Sequence, residues 1–264
     1  VGAPVPITTG STHRSAPRPS PNDEWLKFEQ EGYIYVSRID GSQPVRLARG
    51  SLGKWSPDSR RIAFASRHGG SQDIWVINRD GTGLRQLTDS PDETFGAPIW
   101  SPNGESIAAL NVTPAHHHVF LFDPEIAWNA QEPKVIPNLN EQDDHLVVCS
   151  WSPDGRMLGF WPPEHSGKVG IGIYDLETKR YEMVLDIASG QPSWLTDRRR
   201  FLFVSDPDWI QSGVTFSGGP PSRLYIGDYA TKQYHEILNV FPDTIHPPYG
   251  YTHDDRAIFI SRER

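Results

Sequence analysis

The chain has 264 residues, a formal net charge of −8 and a pI near 5.7. This acidic balance argues against general nucleic-acid binding and against anchoring to anionic membranes, since both rely on basic surfaces. Cys149 is the only cysteine, so no internal disulfide is expected, and a buried, inert thiol is the default interpretation. No apolar run reaches about 18 residues and no signal peptide is visible, so neither a membrane span nor a leader is predicted.

A short phrase, Trp-Ser-Pro-Asp-Gly or a variant of it, returns along the chain at spacings of 36 to 57 residues. Its clearest copies begin at Trp55, Trp100 and Trp151, and a weaker copy begins at Trp194. Degenerate copies begin at Pro19 and Tyr251. Repeats of this period indicate an array of one supersecondary unit, here with six starts near residues 19, 55, 100, 151, 194 and 251.

The best copy, residues 54–88, reads as four antiparallel strands joined by polar turns, without any helical period. The Pro in the first turn presets φ, and Asp-Gly in the last turn is a strong hairpin signal. Four such strands form one propeller blade. The predicted elements are a first strand ending at Trp55, a turn at 56–59, a strand at 61–66, a loop at 68–72, a strand at 73–78, a turn at 79–83 and a strand at 84–88.

The same pattern predicts third strands in the other repeats, at 34–36, 119–123, 172–175 and 224–228. We therefore expect an all-β, six-bladed propeller of four-stranded antiparallel blades that occupies residues 1–264 as a single domain. Residues 1–9 are predicted to add a closing strand to the last blade, because an open edge strand invites aggregation. The alternative is that residues 1–24, which are rich in proline, form a disordered linker.

The recurring tryptophans are expected to be buried between neighbouring blades, because large aromatic side chains dominate core packing. This expectation applies to Trp55, Trp100, Trp151 and Trp194. Stacking of these rings on a ligand is the alternative.

The Trp-Ser-Pro-Asp-Gly turn, the Ile-Ala-Phe strand at 62–64 and the Ile-Trp-Val segment at 74–76 resemble the TolB-like β-propeller repeats. The Gly-His and Trp-Asp signature of WD-type repeats is missing. The resemblance implies a binding platform, because the family includes periplasmic TolB and accessory domains of some peptidases. Related repeats occur in oligogalacturonate lyases. A periplasmic or extracellular location follows from the same resemblance.

The blade-to-blade loops and the loops between second and third strands are predicted to share one rim, at the mouth of the central channel. Eight of the ten histidines fall in loops of this rim. Imidazoles and carboxylates are the ligands that Zn, Mn or Fe take, so His13, His145 and His246 are candidate metal ligands. Ordinary hydrated loops are the alternative. The candidate residues for binding a ligand or partner in the blade-to-blade loops are His13, Arg14, Glu93, Asp144, His145 and His246.

The fifth repeat carries the longest insertion, in which Trp209 and Phe216 could grip a peptide or glycan or else tuck back and pin the loop. The run at 116–118 contains three histidines, which we interpret as a solvated loop because consecutive strand residues alternate faces. The tail of the third repeat, residues 123–137, lies on the opposite rim. This tail contains Trp128 and is a candidate contact for another subunit or domain.

Motifs for the commonest enzyme chemistries are missing, including Gly-x-Ser-x-Gly, a phosphate-binding loop and His-Glu-x-x-His. The sequence therefore favours a non-catalytic protein-binding platform that needs no cofactor and uses the channel-mouth rim. Its partner would be a protein or peptide segment, and an acidic rim favours a basic one. The alternatives are a metal-dependent lyase or hydrolase acting on a polysaccharide or peptide, and a subunit or domain of a larger assembly.

Overall fold

The computed structural model describes residues 15–113, 117–138, 147–161, 170–186, 189–205, 223–238, 250–255 and 258–259. Nearly all of its regular structure is antiparallel strand, as the repeats predict, and strands follow chain order within each sheet. Blade 1 consists of β1 (Ser15–Pro19), β2 (Trp25–Gln30), β3 (Tyr33–Arg38) and β4 (Val45–Arg49), and blade 2 of β5 (Ser51–Trp55), β6 (Arg61–Ser66), β7 (Asp73–Asn78) and β8 (Arg85–Gln86).

Three further four-stranded blades follow, and the third contains a short 3-10 helix before its last strand. Blade 3 consists of β9 (Thr94–Trp100), β10 (Ile107–Val112), β11 (His117–Phe122), the helix η1 (Trp128–Ala130) and β12 (Lys134–Ile136). Blade 4 consists of β13 (Val147–Trp151), β14 (Met157–Trp161), β15 (Ile171–Asp175) and β16 (Arg180–Leu185), and blade 5 of β17 (Ser189–Trp194), β18 (Arg200–Ser205), β19 (Arg223–Asp228) and β20 (Gln233–Leu238).

The prediction of six blades is wrong: the propeller has five four-stranded blades, and the last repeat forms only a two-stranded sheet in the described residues. That sheet pairs β21 (Gly250–Tyr251) with β22 (Ile258–Phe259). A tight turn specifies only the hairpin that it closes, so counting turns overestimated the number of complete blades. The predicted closing strand at 1–9 lies outside the described residues.

The two-stranded sheet joins blade 5 to blade 1 through its turn. Asp255 accepts hydrogen bonds from the Thr196 amide and hydroxyl, at 3.1 and 2.6 Å. The His253 amide donates to the Asp23 carboxylate at 2.9 Å. The five blades and the small sheet therefore follow one another around the ring.

The first turn is held by the same hydroxyl hydrogen bond in every repeat except the fifth, where Leu195 takes the place of the serine. In blade 4 the Ser152 hydroxyl donates to Asp154 at 2.6 Å and accepts from the Met157 amide at 2.8 Å. The fourth residue of the turn, Gly155, has a φ of 74°, in the left-handed region that glycine tolerates best. The same serine-to-Asx bond occurs at Ser20, Ser56 and Ser101, and the threonine equivalent occurs at Thr252.

Each apolar core is shared between two neighbouring blades, so burial depends on the stacking of blades around the ring. Phe64 of blade 2 packs with Ile34 of blade 1, and Phe203 of blade 5 packs with Ile173 of blade 4. The predicted tryptophan burial is confirmed for three of the four rings, while Trp151 is half-buried. The three buried rings are those of Trp55, Trp100 and Trp194. Cys149 is buried, as expected.

The first strand of each four-stranded blade contains a bulge, seen as a register shift against the second strand. Ala16, Leu52 and Ala97 adopt positive φ at this bulge in the first three blades. Bulges bend and twist a strand. The first strands of consecutive blades also contact one another, which places them around the central channel.

The prediction of a solvated loop at 116–118 is wrong for His117 and His118, which lie in β11 and pair with Val112 and Asn111 of β10. The strand continues through both histidines because β10 offers a partner residue for each. His116 lies outside the described residues. The described residues contain no helix that is long and apolar enough to cross a membrane.

We predict that Ser152→Ala lowers the free energy of unfolding by about 1–3 kcal/mol, because the buried Met157 amide loses its acceptor. Urea unfolding followed by tryptophan fluorescence measures this change. Ser51→Ala is the matched control, since Ser51 is exposed, and it should change stability by less than about 0.5 kcal/mol. Equal stability of the two variants would contradict the structural role of the turn hydroxyl.

Candidate functional site

The predicted channel-mouth site falls mostly outside the described residues, so it stays a prediction. Glu93 is the one described member of the candidate set. It is half-buried in the loop between blades 2 and 3, and its amide donates to the Ser90 carbonyl at 3.3 Å. The members outside the described ranges are His13, Arg14, Asp144, His145, Trp209, Phe216 and His246. Within the described ranges, no group of three or more His, Cys, Asp or Glu side chains could hold a metal.

The described residues form a groove on the opposite side of the ring, which we name the turn-face groove. It lies between blades 3 and 4 and has a volume of about 880 Å³. Its walls come from the first turn of each of these blades and from the tail that joins β11 to β12. The lining residues that carry the argument below are Leu121, Asp123, Ile126, Glu132, Trp151 and Asp154.

The floor of the groove is apolar and rigid. Leu121 and Trp151 are half-buried and pack against the core shared by blades 3 and 4. The indole N–H of Trp151 donates to the Ile99 carbonyl of the neighbouring blade at 3.3 Å, which fixes the ring across the blade boundary. Ile126 is 43% exposed above this floor. An exposed aliphatic side chain beside a partly open tryptophan offers a partner apolar surface to bury.

Gln131 holds the tail in its folded conformation. Its side-chain N–H groups donate to the Asp123 carbonyl at 3.1 Å and to the Ile126 carbonyl at 2.9 Å. Its side-chain oxygen accepts from the Asp123 amide at 2.9 Å. One side chain thus closes the tail into a compact loop, and Ile126 is presented from it.

Trp128 anchors the tail to the propeller. Its ring makes edge contacts with Phe95 and Phe122, at centroid separations of 5.1 and 5.6 Å. The side chain packs on the core shared by blades 2 and 3. Trp128 is therefore engaged within its own chain, while the contact of the tail at 123–137 with another subunit or domain stays a prediction.

The carboxylate of Asp154 stays charged at the groove wall. Burial acts to raise its pKa, but hydrogen bonds from the Ser152 hydroxyl and the Arg156 amide hold the pKa below its ordinary value. Asp123 accepts a hydrogen bond from the Glu125 amide at 2.7 Å. The bonds to Asp154 stabilise its negative charge without neutralising it.

The groove wall carries more negative than positive charge. The lining includes three carboxylate residues, Asp123, Glu132 and Asp154, against one lysine, Lys134. Glu132 and Lys134 are both exposed. The lining contains neither histidine nor cysteine, and the Ser101 hydroxyl is already bonded to Asn103 at 2.7 Å. The groove thus combines an apolar floor with a wall of net negative charge.

The sequence indicates the tail at 123–137 as a candidate contact but does not indicate the groove. The signal for the tail was its length, because eleven residues separate β11 from β12 (123 to 133), where the other blades have short turns. The facing wall comes from the first turn of blade 4, some fifty residues further on, and no local pattern links the two.

Comparison with known proteins supports the fold. A protein described as a TolB from Agrobacterium tumefaciens superimposes with a TM-score of 0.75 at 16% identity, covering 98% of this chain and 93% of that one. An oligogalacturonate lyase from Vibrio parahaemolyticus superimposes with a TM-score of 0.64 at 13% identity, covering 94% of this chain and 70% of that one. Identities this low establish the fold alone.

Sequence similarity covers shorter segments. An uncharacterized peptidase of Bacillus subtilis, YuxL, is 36% identical over 91 residues, which are 33% of this chain and 13% of the peptidase. This chain therefore spans a small part of that relative's length. No family model matches the chain.

The chain is a β-propeller built from repeated four-stranded blades. Its fold is similar to that of the TolB structures, which agrees with the resemblance based on the Trp-Ser-Pro-Asp-Gly repeats.

We predict that Gln131→Ala accelerates amide hydrogen exchange across residues 123–131, because the tail loses three hydrogen bonds. The expected loss of stability is about 1–3 kcal/mol and is local to the tail. Hydrogen exchange with mass-spectrometric readout measures this. Asn129→Ala, at an exposed position of the same tail, is the control and should leave exchange unchanged. Identical protection in both variants would show that Gln131 does not hold the tail.

Proposed function

We propose that this chain is a non-catalytic binding platform for another protein, and that the turn-face groove receives a segment of that partner. The observation that carries the proposal is the combination of an apolar floor and acidic walls in one cleft of about 880 Å³. Connecting segments held on a rigid scaffold are frequent recognition sites. Such binding needs no cofactor.

The chemistry of the groove specifies the kind of segment it fits. Ile126 and Trp151 offer apolar surface, while Asp123, Glu132 and Asp154 surround it with negative charge. A peptide with an aliphatic or aromatic side chain flanked by lysine or arginine would fit this groove. Its apolar side chain would bury the exposed surface of Ile126 and Trp151, and its basic residues would pair with the carboxylates. Electrostatic attraction of this kind speeds association and weakens as salt rises.

The channel-mouth rim is retained as a second surface of the same platform. Its candidates are the histidines and carboxylates of the blade-to-blade loops together with Trp209 and Phe216 on the fifth-repeat insertion. The resemblance to TolB supports a protein partner and a periplasmic or extracellular location. A role as a subunit or domain of a larger assembly is compatible with the 13% of YuxL that this chain spans.

The rival proposal is a metal-dependent lyase or hydrolase that acts at the channel mouth. What favours it is the structural similarity to a protein named as an oligogalacturonate lyase. Its candidate metal ligands would be His13, His145 and His246. The two proposals differ in whether the chain requires a metal.

The platform proposal predicts that peptides selected from a random display library against the full chain carry basic residues next to apolar ones. Ile126→Ser and Glu132→Lys should each weaken the selected peptides by about tenfold, because each removes one of the two recognition elements. Fluorescence anisotropy of labelled peptides measures the dissociation constants.

Two variants serve as matched controls for this selection. Val135→Ser changes another exposed aliphatic residue that does not line the groove, and Glu24→Lys makes the same charge reversal on blade 1. Both should bind like the unmodified chain. If no peptide is enriched, or if the groove variants and the controls bind alike, the groove is not the recognition site.

Metal content separates the platform from the rival enzyme. The platform predicts substoichiometric Zn, Mn and Fe by mass spectrometry, in protein purified without chelator or immobilised nickel. Near-stoichiometric metal that disappears in the His13→Ala, His145→Ala and His246→Ala variants would instead support the lyase or hydrolase. The same preparation should then be assayed on acidic polysaccharides.

A further inference from the structure

The tail between β11 and β12 is attached to blade 2 as well as to its own blade, and we name this attachment the tail anchor. It consists of Arg61 on β6, Arg85 on β8, and Pro124 and Glu125 in the tail. Arg85 Nη2 donates a hydrogen bond to the Pro124 carbonyl at 2.7 Å and lies 3.7 Å from a Glu125 carboxylate oxygen. Arg61 donates to the other oxygen of the same carboxylate. Two consecutive tail residues are therefore held by the neighbouring blade.

Arg61 is placed for this role by its own surroundings. Its backbone amide donates to the Ser56 hydroxyl at 2.9 Å, as part of the first turn of blade 2. Its guanidinium carbon lies over the buried ring of Trp100 in blade 3, 4.9 Å from the ring centroid. Such a cation–π contact favours one position of a long, flexible side chain. Arg61 thus lies across the boundary of blades 2 and 3, where the tail passes.

The carboxylate of Glu125 is charged, although most of its side chain is exposed. The hydrogen bond from Arg61, helped by the charges of Arg61 and Arg85, holds the pKa of Glu125 below its ordinary value, while burial acts in the opposite direction. A single exposed ion pair contributes little to stability. Here, however, one carboxylate contacts two guanidinium groups. The Arg85 guanidinium also donates to a backbone carbonyl, which makes a charge-assisted hydrogen bond.

The tail anchor and the turn-face groove share one short stretch of backbone. Asp123 and Ile126 line the groove, whereas Pro124 and Glu125 between them do not. The stretch therefore meets blade 2 through its two middle residues and the groove through its two ends. Each residue has only two soft backbone dihedrals, and the ring of Pro124 fixes one of them. The position of Ile126 consequently depends on where Pro124 is held.

The other restraints on the tail act differently from the tail anchor. Gln131 closes the tail on itself, and Trp128 packs the far end of the tail on the core shared by blades 2 and 3. Among the hydrogen bonds and ion pairs of the described residues, those of the tail anchor are the ones that join residues 123–126 to another blade. Arg85 itself does not line the groove. Any effect of Arg85 on the groove must therefore pass through the tail or through charge.

We propose that Arg85 is a positioning residue for the turn-face groove. The tail anchor sets the position of the tail and hence that of Ile126 over the groove floor. The consequence for a partner rests on the proposed function, because it requires the groove to be the recognition site. A bound segment and the tail anchor stabilise the same conformation of the tail, so each strengthens the other. Affinity at the boundary of blades 3 and 4 is thereby controlled from blade 2.

Arg85→Met tests this role because positioning and charge predict opposite results. Loss of a positive charge makes the surroundings of the groove more negative, which by itself would strengthen a basic peptide. Loss of the tail anchor should instead weaken the peptides selected against the full chain by about fivefold. Fluorescence anisotropy of the labelled peptides measures the dissociation constants. Arg60→Met is the matched control: Arg60 is exposed on the same blade and makes no described contact with the tail. It should bind within about twofold of the unmodified chain.

A double-mutant cycle tests whether Arg85 acts through Ile126. In the Ile126→Ser background, Arg85→Met should cause no further loss of affinity, because the side chain that it positions is gone. A variant that merely destabilised the propeller would weaken binding in both backgrounds. Amide hydrogen exchange without peptide gives a second measurement. Exchange of residues 123–131 should be faster in Arg85→Met and in Glu125→Gln, and unchanged in blade 1, which reports an intact fold.

The positioning role is overturned if Arg85→Met binds the peptides as tightly as Arg60→Met does, or if it weakens them further in the Ile126→Ser background. Unchanged tail exchange in both Arg85→Met and Glu125→Gln would also overturn it. Failure of the proposed function looks different: no peptide is enriched, or Ile126→Ser binds like the unmodified chain. Hydrogen exchange alone then decides whether Arg85 positions the tail, since faster exchange supports that role and unchanged exchange overturns it.

Discussion

The packing of each blade against its neighbour is the contact on which the rest of the molecule depends. The apolar clusters are shared across blade boundaries, so no blade buries its own faces alone. A tryptophan at the end of a first strand can also donate a hydrogen bond to the preceding blade, which fixes the relative position of the two sheets. Trp55 and Trp151 donate to carbonyls of Arg18 and Ile99 on the preceding blade, which sets the height of one sheet relative to the next. Stability in such arrays is approximately a sum of intrinsic and nearest-neighbour contributions. The turn-face groove lies at a blade boundary and inherits its geometry from this stacking.

The local pattern predicted the blades well because each tight turn is stabilised by its own residues. Three features close such a turn: a hydroxyl, an Asx side chain and a fourth residue with positive φ. Ser152 and Asp154 illustrate the first two. The same independence explains why the count of six was wrong. At the last repeat the Thr252 hydroxyl still donates to Asp254, and Asp255 still has a φ of 58°. The turn therefore forms even where the described residues supply only two strands. A complete blade needs third and fourth strands that the turn does not encode.

The turn-face groove was harder to predict because it combines residues that are distant in the sequence. The tail could be recognised from its length, but the groove needs the first turn of blade 4 as its second wall. Lys54 illustrates the same limit: its own segment reads as an ordinary first strand. Burial, followed by the charges of Arg18 and Lys27 on other strands, holds the pKa of Lys54 well below its ordinary value. Periodicity locates a residue within its blade, whereas charge and desolvation depend on the neighbours that the ring brings to it.

The turns also explain why negative charge alone does not define a binding site on this fold. Carboxylates recur in the tight turns for structural reasons. Hydrogen bonds from Thr82 to Asp80 and from the Thr231 amide to Asp228 lower the pKa of each carboxyl group and keep it ionised. Carboxylates therefore recur around the turn face, several of them paired with arginines, as Asp175, Asp197 and Asp228 are. Specificity for one blade boundary must come from a feature that the repeats do not share. On the described turn face that feature is the tail between β11 and β12, in which Ile126 lies over the floor formed by Trp151. A partner that binds through charge alone would bind many turns weakly. A partner that also inserts an apolar side chain would bind at the boundary between blades 3 and 4.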